Sequence, residues 1–235
     1  MSANSVKTLE LNLTRHTGAA NAPVSVANVI IAGWTGRDRA AVEKHIEELA
    51  DLGVRRPASI PVFYRAAAAR LTTASAIQVL GETSSGEVEF VLLQVAGQLW
   101  LGVGSDHTDR EVEAYDVGVS KQMCDKPIAK TWWAFDEVAP HWDRLILRSF
   151  IETGAQRTLY QEGSVTTMLE PQDLISRYSL GLSQSLPEST AMFCGTLTAR
   201  GGVRPATQFS FEIEDPVLER RIQHEYRILT LPVAK

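Results

Sequence analysis

Apolar and polar positions alternate through the first dozen residues, where Val6, Leu9, Leu11 and Leu13 mark an early strand whose period slips between Val6 and Leu9. A short apolar run, Val29 to Ala32, is broken by Gly33 and Gly36 and predicts a strand followed by a turn. From Asp38 to Leu52 the period changes. Ala41, Val42, Ile46, Leu49, Ala50 and Leu52 recur at helical spacing between charges, and Gly53 stands where a helix stops. Pro57 and Pro61 punctuate an extended stretch leading into PVFYRAAAARL, whose four alanines suggest a helical turn. Four strand-like runs follow, AIQVL, EVEFVLLQV, LWLGVG and YDVGVS, with Gly97–Gln98 as the hairpin turn between the middle two. Helical stretches are predicted near Trp142–Glu152 and Pro171–Leu180. The last third returns to strands in AMFCGTL and TQFSFEIED, then ends in a charged tail and a closing run, YRILTLPV, that packs on the core.

This pattern predicts an α+β, mostly β fold without repeats or a low-complexity linker. Residues 1–57 form an N-terminal strand and helix segment able to act as a lid, and residues 58–235 form the main β domain, the two read as one compact unit. A chain of 235 residues buries about 70% of the surface its unfolded form exposes, so it needs no disulfide staples. Cys124 and Cys194 are in any case too few for a disulfide framework. The formal charge of -5 argues against a nucleic-acid or anionic-membrane partner, which needs a concentrated basic field. No apolar run approaches the ~18 residues of a membrane span, and the first residues, MSANSVKTLELNL, lack an apolar signal core. A soluble, cytoplasmic protein is expected.

Several groups could carry chemistry. In EVEFVLLQV the strand period puts Glu87 and Glu89 on one face, where two carboxylates repel unless a cation lies between them. A hard divalent cation such as Mg²⁺ suits such a pair; so does a plain solvent-facing strand edge. One hairpin later, GSDHTDRE gathers Asp106, His107, Asp109, Arg110 and Glu111 after a Gly-x-Gly. Such a loop is either a functional site or a solvated turn closed by a local Asp–Arg pair. It lacks zinc-ligand spacing. His45 and Glu48, three apart on the predicted helix, share a face, so the carboxylate can orient the imidazole as a general base or the pair can be an inert exposed face. Cys124 suits packing better than nucleophilic attack, and Gly102–Gly104 lacks the context of a dinucleotide fingerprint.

Taken in order, HIEE (45–48), PVFY (61–64), EVE (87–89), DHTDRE (106–111), KQMCDKP (121–127) and CGTL (194–197) resemble the fumarylacetoacetate hydrolase superfamily. The superfamily pattern has an H-x-x-E lid helix, an E-x-E strand, a D-x-[ST]-A-R-D loop, a Lys-led segment ending in proline and a later G-T-P turn. The resemblance spans roughly residues 29–215, and it is strongest to the uncharacterised DUF2848 branch, through GWTGRD, GSDHTDR and SKQMCDKP. It implies a twisted, mostly β sheet or roll with an N-terminal lid helix, one Mg²⁺ or Mn²⁺ ion per chain, and a homodimer. Glu87, Glu89 and Asp106 match the metal carboxylates, and His45 and Glu48 the water-activating dyad. Lys121 matches a catalytic cation, while Arg110, Thr196 and the adjacent Gly195 match substrate-binding positions.

The implied substrate is a small acidic or dicarbonyl molecule, a 2-oxo or 1,3-dicarbonyl acid, cleaved hydrolytically. Decarboxylation or tautomerisation on the same scaffold, or non-catalytic binding of a metabolite, are the alternatives. A metal-free hydrolase using Cys124 is a further one. The sequence departs from the pattern in places. The link between Glu89 and Asp106 is short, and Asp109 replaces an alanine, placing another acid near the metal. Glu113 stands where many members carry a substrate-contacting glutamine, Leu197 replaces a proline, and the Lys121–Pro127 spacing is one residue short. The added acidity favours a less anionic substrate.

Overall fold

The early alternation forms a long hairpin in the computed structural model, which describes residues 6–51, 56–154 and 156–234. Strands β1 (Lys7–Arg15) and β2 (Gly18–Val26) pair antiparallel and turn Leu9, Leu11, Val24 and Val26 inward. β2 was not foreseen, because GAANAPVSV carries little apolar signal of its own. β3 (Asn28–Gly33) follows, then α1 (Arg39–Asp51), whose first turn is capped by the Asp38 carboxylate accepting from Ala40 N and Ala41 N. The Gly53 stop lies outside the described residues. The predicted helical turn after Pro61 is instead β4 (Val62–Ala66) and a single 3₁₀ turn at Ala68–Arg70, because Val-Phe-Tyr favours a pleated surface.

β5 (Leu71–Thr72), β6 (Ala76–Leu80) and β7 (Ser84–Ser85) lead to the central hairpin of β8 (Val88–Val95) and β9 (Gln98–Ser105). Its turn is Ala96–Gly97, one residue earlier than predicted, with both φ angles positive at 53° and 70°, as a twist-matched two-residue turn requires. After β10 (Thr108–Asp109), the expected YDVGVS strand is helical, in α2 (Arg110–Tyr115) and α3 (Val117–Met123). Two aspartate caps override the β-prone valines: Asp109 accepts from Glu111 N and Val112 N, and Asp116 from Val119 N.

Next come β11 (Lys126–Pro127), β12 (Thr131–Ala134) and α4 (Phe135–Val138). The helix expected near Trp142–Glu152 is a 3₁₀ segment to Arg144 followed by β13 (Ile146–Thr153), which pairs with β14 (Gln156–Ser164). Leu147, Ser149 and Ile151 point inward with strand period, and the serine disguised it. α5 (Pro171–Tyr178) lies within the predicted stretch, and β15 (Thr190–Thr196), β16 (Gln208–Asp215) and β17 (Arg220–Leu231) complete the chain.

Two sheets dominate. An eight-stranded sheet has the order β2-β1-β12-β9-β8-β15-β3-β4, and a five-stranded sheet the order β14-β13-β16-β17-β6. Phe90, Leu92, Val103 and Trp133 of the first pack against Leu147, Tyr160, Phe209, Phe211 and Tyr226 of the second. The curled large sheet buries its other face too, around Leu11, Ile31, Val91, Leu93, Trp132 and Phe193. Burial on both faces explains why the run in β8 is nearly unbroken rather than alternating. No described helix is long and apolar enough to cross a membrane.

Candidate metal centre

Glu89 lies at the start of β8 with Glu87 just before it, and antiparallel pairing sets Glu89 opposite Gly104 near the end of β9. The chain then turns, with Asp106 N donating to Glu87 O at 3.0 Å, which brings a third carboxylate to the pair. One oxygen from each of Glu87, Glu89 and Asp106 lies within 4.8 Å of the others. Glu89 and Asp106 are buried. Burial, then the neighbouring Asp106 and Glu87 charges, push the Glu89 carboxyl well above its usual range, against the Gly195 N–H that donates to its Oε2 at 2.7 Å. Glu87 is raised by burial too, in spite of Arg110 and Lys121. Asp106 is the exception. Burial opposes its ionisation, but Lys121 and Lys126 outweigh burial and hold it below the carboxylate range.

Asp106 is clamped by two ammonium groups: Lys121 Nζ lies 2.7 Å from Oδ2 and Lys126 Nζ 3.0 Å from Oδ1. Its Oδ1 is nonetheless buried without a well-directed hydrogen bond. Three converging oxygen donors, two of them destabilised as anions, with one acceptor that lacks a well-directed hydrogen bond, fit a hard divalent cation. The residues present therefore fit the ion that the resemblance implies.

A cationic rim flanks the carboxylates. Arg110 Nε donates to Ser85 Oγ at 2.7 Å, Nη2 lies 3.2 Å from Glu87 Oε1, and Nη1 donates to Glu113 Oε2 at 2.6 Å. Lys121 also reaches Glu113 Oε1 at 3.2 Å and Thr108 Oγ1 at 3.3 Å. Despite burial, Asp106, Glu87 and Glu113 raise the Lys121 ammonium above its ordinary range, so it remains a cation. The loop after β3 holds Trp34 in the left-handed region (φ 59°). Trp34 hydrogen-bonds Tyr64, whose phenol is pushed above its usual range by burial, against that bond.

The structure gathers Glu87, Glu89, Asp106, Arg110, Lys121 and Gly195 into one cluster. Thr196 stands beside it, but its hydroxyl donates to Val88 O at 2.7 Å and accepts from Gln161 Nε2 at 2.8 Å. His45 and Glu48 belong to α1, and their side chains lie outside the described residues. Two sequence expectations change. GSDHTDRE is no solvated turn, since Asp106, His107 and Asp109 are all buried, and Asp109 caps α2 rather than adding an acid to the metal ligands. Cys124 is buried, and burial pushes its thiol up to about 11, which removes it as a neutral-pH nucleophile.

Gln161 and Tyr226 carried no sequence signal, and Lys126 had no role assigned to it within KQMCDKP. Tyr226 and Ser84 hold the fully buried His107, through Nδ1 at 2.8 Å and Nε2 at 2.9 Å. Burial, then Lys126 and Arg110, depress its pKa to about 3. Between that value and the unfolded ~6.5 the unfolded chain binds the extra proton, so this histidine's contribution to stability falls as pH drops below 6.5. Acidification from pH 6.5 to 5 is expected to remove about 2 kcal/mol through His107 alone. Urea titrations at the two pH values should show a smaller loss in His107→Gln; an equal loss would assign the acid sensitivity elsewhere.

Solved structures share this architecture. Cg1458 with an inhibitor superposes with a TM-score of 0.66 at 15% identity, over 92% of this chain and 81% of that one. 2-Keto-3-deoxy-D-arabinonate dehydratase complexed with magnesium and 2,5-dioxopentanoate gives 0.61 at 16% identity, over 93% and 79%. 4-Oxalocrotonate decarboxylase from Pseudomonas putida G7, complexed with calcium and acetate, gives 0.55 at 12% identity, over 86% and 78%. At these identities the likeness is one of fold. Residues 32–226 match the family model described as protein of unknown function DUF2848, and the chain belongs to that family. No curated protein matches the sequence.

Proposed function

We propose that the chain is a divalent-metal-dependent enzyme acting on a small 2-oxo or 1,3-dicarbonyl acid, with Glu87, Glu89 and Asp106 holding one Mg²⁺ or Mn²⁺ ion. The observation that carries this reading is the convergence of three oxygen donors within 4.8 Å beside a permanently charged Lys121. The ion supplies a Lewis acid for the carboxylate and carbonyl oxygens of an oxo acid. Gly195 N fixes the rotamer of Glu89, and Lys126 and Lys121 fix Asp106, so the donor set is preorganised. Lys121 holds its proton and presents positive charge where negative charge develops on the substrate. Arg110 Nη2, buried and without a well-directed hydrogen bond although it lies 3.2 Å from Glu87 Oε1, offers an N–H to a substrate oxygen. In the hydrolytic version, His45 oriented by Glu48 takes a proton from water as α1 closes over the site.

A lyase reading competes on specific ground. Two proteins of similar fold are a dehydratase and a decarboxylase, complexed with magnesium and calcium respectively, and decarboxylation needs no attacking water. The homodimer belongs to the same proposal, and sedimentation equilibrium reads it.

Electron paramagnetic resonance of a Mn²⁺ titration tests the ion site. Wild type should hold about one ion and Glu87→Ala/Glu89→Ala none, a loss well beyond the roughly 10–100-fold that damage to outer-shell partners alone causes. Wild type without bound Mn²⁺ would overturn the assignment. Turnover of an oxo-acid panel then separates enzyme from binder. A fall of about 10²–10⁴-fold in His45→Ala supports hydrolysis, whereas near wild-type release of CO₂ or water supports the lyase.

A further inference from the structure

We infer that Glu113 sets the charge of the substrate this site accepts, favouring a monoanionic oxo acid with an uncharged far end over a dianion. The inference rests on the metal-site reading above and deepens it. Side-chain exposure rises from Asp106 (1%) and Lys121 (7%) through Glu87 (18%) and Arg110 (19%) to Glu113 (27%). A ligand approaching the carboxylates therefore passes over Arg110 and Glu113. Both cations it would meet there are already bound by Glu113, at 2.6 Å through Arg110 Nη1 and 3.2 Å through Lys121 Nζ. The third, Lys126, is fully buried behind Asp106 and donates to His107 O.

The charge balance points the same way. Glu87, Glu89, Asp106 and Glu113 outnumber Arg110, Lys121 and Lys126 by one, so a divalent ion leaves the cluster with one net positive charge when all are ionised. A single substrate carboxylate neutralises it. A second carboxylate would have to lie beside Glu113 or break its pairs with Arg110 and Lys121, either of which weakens binding. An uncharged oxygen meets no such penalty.

Calorimetric titration of the Mn²⁺-loaded full chain with 2-oxobutyrate and with 2-oxoglutarate tests the inference without requiring turnover. Wild type should bind the monoanion about tenfold or more tightly than the dianion, the size of effect one near-surface like charge produces. Glu113→Gln should narrow the gap to about threefold or less by strengthening the dianion, and Glu113→Asp, which keeps the charge, should retain the preference. Equal binding of both ligands by wild type, or a parallel change for both in Glu113→Gln, overturns the inference and leaves the metal site standing. Failure to bind Mn²⁺, or binding of the ion but of neither ligand, overturns the proposed function and the inference with it.

Discussion

Lys126→Met is expected to lower the stability of the metal-free protein by about 3–5 kcal/mol, the usual cost of breaking a buried ion pair by removing one partner. Lys126 has no exposed surface. Its ammonium donates to His107 O at 2.6 Å and lies 3.0 Å from Asp106 Oδ1. A thioether of similar length fills the volume but supplies neither the donor nor the charge. The His107 carbonyl loses its hydrogen bond, and Asp106 keeps only Lys121 for compensation. Urea unfolding in chelator should show the lower midpoint with an unchanged slope. With Mn²⁺ present the gap to wild type should shrink, because the ion brings positive charge back beside Asp106. A loss below about 1 kcal/mol in chelator would mean that Lys121 alone balances the carboxylate.

Gly195→Ala should be nearly as damaging and should also weaken the ion site. Gly195 has φ +97°, outside the comfortable range of a residue with a Cβ. An added Cβ would fall 1.8 Å from Thr35 Oγ1 and 3.3 Å from Met168 Cγ. Thr35 cannot easily retreat, since it is buried and its carbonyl accepts from Leu169 N at 2.7 Å. Backbone strain and overpacking together cost about 3 kcal/mol or more. The Gly195 N–H is also the donor that holds Glu89 Oε2, so displacement of this turn moves a metal ligand. Mn²⁺ affinity is expected to fall about tenfold or more. Thr35→Ser/Gly195→Ala should recover little, and Thr35→Ala/Gly195→Ala appreciably more, because the clashing atom is the hydroxyl; a double-mutant cycle measures the difference. Additive effects would show that the contact with Thr35 does not cause the damage.

The Glu87–Glu89 pair was legible in the sequence because strand geometry puts both on one face, whereas Asp106 joined it only through the resemblance of DHTDRE to the superfamily's loop motif. α1 was legible from its helical period. The cationic half of the site was less so. Lys126 reads as a charge in a turn, and only the fold buries it against Asp106, twenty residues upstream. The Arg110–Glu113 pair has i,i+3 helical spacing, a signal hidden once the neighbouring Tyr115–Ser120 stretch is taken as a strand. Asp109 and Asp116 are the caps that could have corrected that reading. β13 was obscured by Ser149, a buried polar residue satisfied by Gln161 Oε1 at 2.8 Å across the sheet. Such a partner lies beyond any local periodicity.

The position of β3 governs how the protein can be made. It lies between β4, its near neighbour in sequence, and β15, with which it pairs parallel from Asn28↔Thr190 to Phe193↔Ile31. At about 5–20 residues per second of synthesis, the roughly 160 residues between these partners take on the order of ten to thirty seconds to emerge. Until then Val29, Ile30 and Ile31, fully buried in the finished sheet, have one flank open to solvent and to other nascent chains. Gly195 arrives with the same late strand, so the hold on Glu89 is among the last contacts to form. Ribosome-bound chains stopped before β15 should therefore engage chaperones through β3.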